Sequence, residues 1–331
     1  MRKLVCSVGL VVAGLLVMQP AQAATVLRLG HQNATTSSLH LAAVKFAELV
    51  EQRTNGDLKI EVYPSGQLGG LNDLWTGVKI GTVDIAATLP ATVAVDIVPG
   101  LAIFDSPYMF ADVAHFERVW TGEIGQELNA ELIEKGGVRL LSMETFGSRQ
   151  LTAKKAILKP EDLAGMKIRS VTLPTFIATI EAMGATPTPM DYAEVYQSLL
   201  SGVIDGQENP PASIYTARFQ EVQSHLMMTS HVLGINTTIM NEGVFQRLSP
   251  EYQQVIVESG KDAGVYGNVV ALEQQQEMLD KLAESGMTIV GPEQGLDVEA
   301  FRARVQEQAL PKISANWPAG LYDRVQAAAA Q

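Results

Sequence analysis

The chain has 331 residues, 47% of them hydrophobic, with 36 acidic against 24 basic side chains and a formal charge of −12. That length and apolar content suit two core-bearing domains better than one. A net-acidic chain is a poor partner for nucleic acid, which sets that class aside, although arginines grouped in one cleft can still hold a small anion.

The chain opens MRKLVCSVGLVVAGLLVMQPAQA. Arg2 and Lys3 give a charged start, an apolar run covers 4–18, and small residues end at Ala23. This three-part layout predicts a secretory signal peptide cleaved after Ala23, and hence a periplasmic protein. The apolar run is short for a membrane span. Residues 1–23 hold Cys6, the single cysteine, so the mature chain is expected to make neither a disulfide nor thiolate chemistry. Losing Arg2 and Lys3 takes the formal charge from −12 to −14.

In chain order, TVLRLGHQ alternates apolar and polar residues as a first strand does. SSLHLAAVKFAELVEQRTNG has helical periodicity and stops at Asn55 and Gly56. LKIEVYP reads as a second strand, LNDLWTGVKIG as a helix and VDIAAT as a third strand. This βαβαβ alternation predicts an α/β domain with a largely parallel sheet. The pattern resumes near residue 137. GVRLLSME and SRQLTAKK read as two strands, KPEDLAG as a short helix, and MKIRSV as a strand. TLPTFIATIEAMG follows as a helix, ATPTPMD as a strand or extended loop, and YAEVYQSLLSG as a helix before IDGQENP. No repeat and no low-complexity linker appears, so two lobes sharing strands are expected. Ser249, Pro250 and Glu251 form a strong helix start. Periodicity continues to about Ser285, which at ~1.5 Å per residue is a helix of about 54 Å, longer than one small domain is wide. Gly260, Gly264 and Gly267 mark either a break near Gly264 or a close packing seam.

The usual enzyme signatures are absent: no G-x-S-x-G, H-E-x-x-H, P-loop or G-x-G-x-x-G. The histidines (His31, His40, His115, His225, His231) have no metal-ligand spacing, and no metal or cofactor is expected. Acid pairs such as Glu131/Glu134 and Asp191/Glu194 read as solvated helix surface. What stands out is polarity in apolar places. TFGSRQLT puts Arg149 in one strand, GMKIRSV puts Arg169 in another, and IDGQENP crowds Gln207, Glu208 and Asn209 together. A buried arginine must meet an anion. That anion is either internal, with Glu208 the candidate, or a ligand carboxylate held by a planar fork of donors.

Five stretches in order, YPSGQLGG (63–70), GSRQLT (147–152), LAGMKIRS (163–170), GATPTPMDYAEVYQSLLSGVIDGQENP (184–210) and MTSHVLG (228–234), resemble the solute-binding proteins of TRAP transporters, of the C4-dicarboxylate type. The resemblance covers nearly all of the mature chain. It implies a two-lobed periplasmic receptor without catalysis, lobes sharing connecting strands and a long helix crossing both. It places lobe I at 24–146 and 235–274, and lobe II at 147–234 and 275–331. It implies that Arg169 makes the main two-pronged carboxylate contact, with Arg149 and Asn209 beside it, and that Tyr192 lines the pocket. Gln32 or Asn33 would meet the far end of the ligand. Relatives that bind sialic acid carry a glutamate where this chain has Leu89, which points away from that ligand. The implied partners are a small organic acid and the small and large TRAP membrane subunits, with the receptor itself a monomer.

Arg149, Arg169 and Asn209 account for one carboxylate. The facing segments GHQNATTSS and AATLPATVAVD offer His31, amides and hydroxyls but no cation, and Asn236 and Thr237 add neutral polar groups. The expected ligand is therefore a hydroxylated monocarboxylate, an aldonate or uronate, ahead of a C4-dicarboxylate. The competing classes are an ABC-importer receptor, which lacks this motif set, and a secreted carboxylate-acting enzyme, which would need a base or nucleophile beside the arginines.

Overall fold

The computed structural model describes residues 24–94 and 97–330; the leader, with Cys6 and the cleavage after Ala23, lies outside the described residues. The strands are β1 (Thr25–Gly30), β2 (Leu58–Tyr63), β3 (Ile85–Thr88), β4 (Val138–Ala153), β5 (Lys167–Ser170), β6 (Thr186–Pro189), β7 (Gly206–Asn209), β8 (His225–Asn241) and β9 (Thr288–Val290). They form one nine-stranded sheet in the order β2-β1-β3-β8-β4-β7-β5-β6, with β9 beside β8. β1 lies parallel to β2 and β3, and β5 parallel to β6 and β7. β8 runs antiparallel to β3 and β4, and β4 antiparallel to β7.

β4 departs from the expected pair of strands. It is one strand of 16 residues, antiparallel to the 17-residue β8 along most of its length. The pairing shifts register between Thr145 and Gly147, and Gly147 has φ +102°. The glycine bends the ladder at a bulge instead of ending it. Each half of this crossing pair belongs to a different core. Leu74, Val78, Phe104 and Ile239 pack on one face of the β1–β3 half, and Leu29, Phe46, Ile85 and Met240 on the other. Leu151, Ile168, Met183 and Phe301 cover one face of the second half, and Val195, Leu199, Ile214 and Leu226 the other. Alternation along a strand divides neighbours between faces, as with Ile85 and Ala86 or Leu226 and Met227.

The long helix, Pro250–Glu284, runs unbroken for 35 residues. Its cap is the Ser249 hydroxyl, which accepts from the Tyr252 N–H at 3.2 Å. Ile256 and Ala263 near its start belong to the first core, and Leu282 at its end belongs to the second. The glycines form a packing seam. A Cβ at Gly260 would lie 3.2 Å from Leu141 Cβ, one at Gly264 3.1 Å from Ser142 Cβ, and one at Gly267 3.1 Å from Ala42 Cβ. Close approach to β4 and to the helix Ser38–Arg53 offsets the ~1 kcal/mol that each glycine costs a helix.

Candidate functional site

A narrow cleft lies between the two halves and is lined by residues of both. Its polar walls come from the carboxyl ends of parallel strands: Gln32 and Asn33 just beyond β1, Thr88 ending β3, Arg169 near the end of β5, and Asn209 ending β7. Ligand crevices of open α/β sheets form at such ends. β4 adds Phe146 and Arg149, and β8 adds Asn236. A small apolar cluster of Leu71, Leu89, Phe146, Val171 and Phe176 draws on both halves, and its members Leu71, Leu89, Phe146 and Val171 also line the cleft.

Side-chain alternation explains why a short buried strand carries an arginine. Ile168 faces the second core, and Arg169, the next residue, faces the cleft. Arg169 is 3% exposed. Its Nε and Nη2 both donate to the Met190 carbonyl, at 3.2 and 2.9 Å. That uses two of five donors and leaves the Nη1 and Nη2 edge free for a planar anion. Among the described residues no carboxylate forms an ion pair with it. Burial, with a smaller push from Arg149, holds its pKa down to about 10 against an upward pull from Glu208. The Tyr192 ring lies 6.0 Å from the guanidinium and donates its hydroxyl to the Ser213 carbonyl at 3.3 Å.

Arg149 is equally buried and differently employed. Its Nη2 donates to Glu208 Oε1 at 2.7 Å and to the Glu208 carbonyl at 2.8 Å, and its Nε donates to Glu208 Oε2. His231 Nε2 lies 3.1 Å from the same Oε2, while its Nδ1 lies 2.8 Å from Thr229 Oγ1. Burial pushes the Glu208 carboxyl up, but Arg149 and His231 outweigh it and hold it down at about 2. The Arg149 Nη1 edge remains for the cleft, with Phe176 5.1 Å from the guanidinium. The internal alternative therefore holds for Arg149, paired with Glu208, whereas Arg169 has no such carboxylate among the described residues.

Asn209 Nδ2 gives one hydrogen to Gln207 Oε1 at 2.6 Å and keeps a second. Asn236 Nδ2 and Thr88 Oγ1 are buried without any hydrogen-bond partner, and both line the cleft. Buried polar groups are normally paired, so these two are open positions for a ligand's hydroxyls. Asn33 lines the cleft and does not cap the following helix; Ser37 does, accepting from the His40 N–H at 3.2 Å. Tyr192 also lines the cleft while packing edge-on against Phe219. Thus Arg169, Arg149, Asn209, Tyr192, Asn33, Gln32 and Asn236 converge on one cavity. Two expected polar groups do not. Thr237 turns into the sheet and donates to the Ser142 carbonyl at 3.2 Å, and His31 sits behind the cleft wall. Thr88 and Ser213, both lining, were not singled out; the only signal for Thr88 was a hydroxyl closing an apolar strand.

Two further buried acids flank the site. Asp105 accepts from the Ala91 N–H at 2.6 Å, and burial raises it to about 7. Glu144, under Gly267 of the long helix, is raised by burial to about 8. Among the described residues no group of His, Cys, Asp and Glu is arranged to hold a metal ion, and no helix is long and apolar enough to cross a membrane.

Residues 29–311 match the family model described as bacterial extracellular solute-binding protein, family 7. The chain belongs to that family. This family 7 protein is 35% identical over 314 residues to the 2,3-diketo-L-gulonate-binding periplasmic protein YiaO of Escherichia coli, covering 94% of each chain. It is 31% identical over 263 residues to the C4-dicarboxylate-binding periplasmic protein DctP of Rhodobacter capsulatus, covering 80% of this chain and 79% of DctP. Among solved structures it resembles a TRAP periplasmic solute-binding protein of Roseobacter denitrificans with bound L-galactonate. The TM-score is 0.83, with 35% identity over 92% of this chain and 98% of that one. The family 7 match bears out the resemblance read from the motifs, and the two-lobed α/β fold with shared strands agrees with its solved relatives.

Proposed function

We propose that this chain is the extracytoplasmic receptor of a TRAP transporter, binding a hydroxylated monocarboxylate of the aldonate or uronate kind in its inter-lobe cleft. The observation that carries this reading is Arg169, a buried guanidinium with a free two-donor edge and no internal carboxylate. A ligand carboxylate supplies the missing charge, helped by Arg149 Nη1 and Asn209 Nδ2. Arg149 and Arg169 are the cations that line the cleft. Its other wall, with Gln32, Asn33, Thr88 and Asn236, is neutral and polar, which favours hydroxyls over a second carboxylate. The ligands named for YiaO and for the Roseobacter relative are themselves hydroxylated sugar acids, whereas DctP is named for C4-dicarboxylates.

Lobe I comprises 24–146 and 235–274, and lobe II 147–234 and 275–331. The lobes close on the ligand about the bulge in β4 near Gly147, because the ligand touches both. The exported, mature protein starts after Ala23, works in the periplasm as a monomer without catalysis, and passes its ligand to the small and large membrane subunits. A thermal-shift panel at fixed pH tests the ligand class. L-galactonate and D-glucuronate should raise the melting temperature more than succinate, malate or fumarate. A shift confined to the dicarboxylates would overturn the monocarboxylate reading.

A further inference from the structure

The turn after β1 brings Gln32 and Asn33 to the cleft, and two histidines stand behind it. His31 is fully buried. Its Nδ1 accepts the Asn33 backbone N–H at 3.2 Å, and its Nε2 lies 3.0 Å from His40 Nδ1. These contacts determine where the protons are. A ring nitrogen that accepts from an amide carries no proton, so neutral His31 holds its proton on Nε2. That N–H points at His40 Nδ1, which must be the acceptor and leaves the His40 proton on Nε2. An added proton on His40 Nδ1 sets N–H against N–H. An added proton on His31 Nδ1 does the same against the Asn33 amide. The pair is formed only when both rings are neutral.

Backbone bonds also anchor this turn. His31 N–H donates to the Tyr63 carbonyl at 3.1 Å, Gly66 N–H to the His31 carbonyl at 3.0 Å, and Ser65 N–H to the Asn33 carbonyl at 3.0 Å. They fasten the chain to the turn after β2. The imidazole pair links the Asn33 peptide to the helix Ser38–Arg53, which carries His40, beside the Ser37 hydroxyl, which bonds the Ala34 carbonyl and the His40 N–H.

We propose that His31 and His40 are positioning residues, a neutral imidazole pair that holds Gln32 and Asn33 against the ligand and releases them when it takes up a proton. This rests on the assignment of Gln32 and Asn33 to the ligand wall of the cleft. The charged and titratable groups on the elements around the pair include Lys45, Glu48, Glu51 and Arg53 on the same helix, Lys59, Glu61 and Tyr63 on β2, Asp73 and Lys79 on the helix Leu71–Ile80, and Tyr266 and Glu273 on the long helix. The shifts arise within the pair and its surroundings: burial and then His40 hold His31 down at about 4, and burial lowers His40 below its ordinary 6.5. Depressed imidazoles keep the pair intact above that ordinary value and lose it as the pH falls, the more exposed His40 first.

The test measures L-galactonate affinity by calorimetry at pH 7.5 and 5.0, where the ligand carboxylate stays ionised. Wild-type affinity should fall about tenfold, the worth of roughly one hydrogen bond. His40→Asn places an acceptor oxygen near the Nδ1 position and does not titrate. It should bind within about threefold of wild type at pH 7.5 and hold that affinity at pH 5.0, while His40→Leu should be about tenfold weaker at both. Asp105 and Glu144 are common to all variants, so their titration cancels in the comparison. A His40→Asn profile that declines as wild type does, or His40→Leu binding like wild type, would overturn the proposal. Arg169→Ala is run in parallel; undiminished binding there would instead sink the cleft assignment itself. Nitrogen-15 spectra of the wild-type imidazoles depend on neither ligand nor variant. They should show His31 protonated at Nε2 and bare at Nδ1, and the opposite tautomer would also overturn it.

Discussion

Arg149 and Arg169 stand in the same sheet, 2% and 3% exposed, and the fold treats them in opposite ways. β7 lies directly against β4, pairing Leu151 with Glu208, and so sets a carboxylate beside Arg149. Arg169 receives only the Met190 carbonyl, a dipole and not a charge. One arginine is completed by the protein, and the other has no counter-charge within it among the described residues. Burial of a charge therefore does not by itself mark a binding residue; what marks it is burial without an internal counter-charge.

Removing Glu208 should erase this difference and have the largest effect. Glu208→Ala leaves Arg149 buried without its carboxylate, which should cost about 3–5 kcal/mol of stability by urea denaturation at pH 7. An unchanged midpoint would show that the two arginines are not distinct. The pH dependence sharpens the point. Glu208 is depressed to about 2 from an ordinary 4.5, so its contribution is complete above pH 4.5 and is lost as the pH falls toward 2. Glu208→Gln should lack that acid limb.

Arg169→Ala should move affinity instead of stability. Losing one side of a buried charged pair costs about 2–5 kcal/mol, roughly 30-fold to several thousand-fold in L-galactonate affinity. The ligand-free protein should stay as stable or become more so, because an unpartnered buried charge is removed. Arg169→Lys should bind nearly as poorly, since an ammonium keeps the charge and loses the fork. Calorimetry paired with thermal melts separates the two; a large stability loss would place Arg169 with Arg149 as an internal ion-pair residue. The smallest effect is expected at Asn236, whose Nδ2 has no partner in the fold. Asn236→Ala should weaken L-galactonate by about 1 kcal/mol, roughly fivefold, without loss of stability. Unaltered affinity would remove Asn236 from the ligand wall.

Much of this was legible in the residues because periodicity and turn chemistry are local. The βαβ alternation, the Ser249 cap and an arginine alternating with Ile168 are written within a few positions of each other. Which arginine pairs with Glu208 is not local: it depends on β7 lying beside β4, a contact |i−j| = 59 apart. The continuity of β4 was hidden for a related reason. Gly147 looks like a terminator, and only the facing β8 makes its bend a bulge. His31 was read as a cleft polar group, but a residue at a strand end can face forward or back, and helix Ser38–Arg53 draws it back toward His40.

The crossing of β4, β8 and the long helix through both halves also constrains how such a protein can be recombined. Neither half is a contiguous stretch of chain. A single crossover with a relative in β4 or in the long helix would mix parents within one core, and one in β8 would mix them within both. Exchanging one lobe intact would take three simultaneous junctions. On the proposed function, ligand preference in this architecture is therefore open to change by single substitutions at cleft-lining strand ends such as Thr88 and Asn209, and largely closed to the swapping of modules.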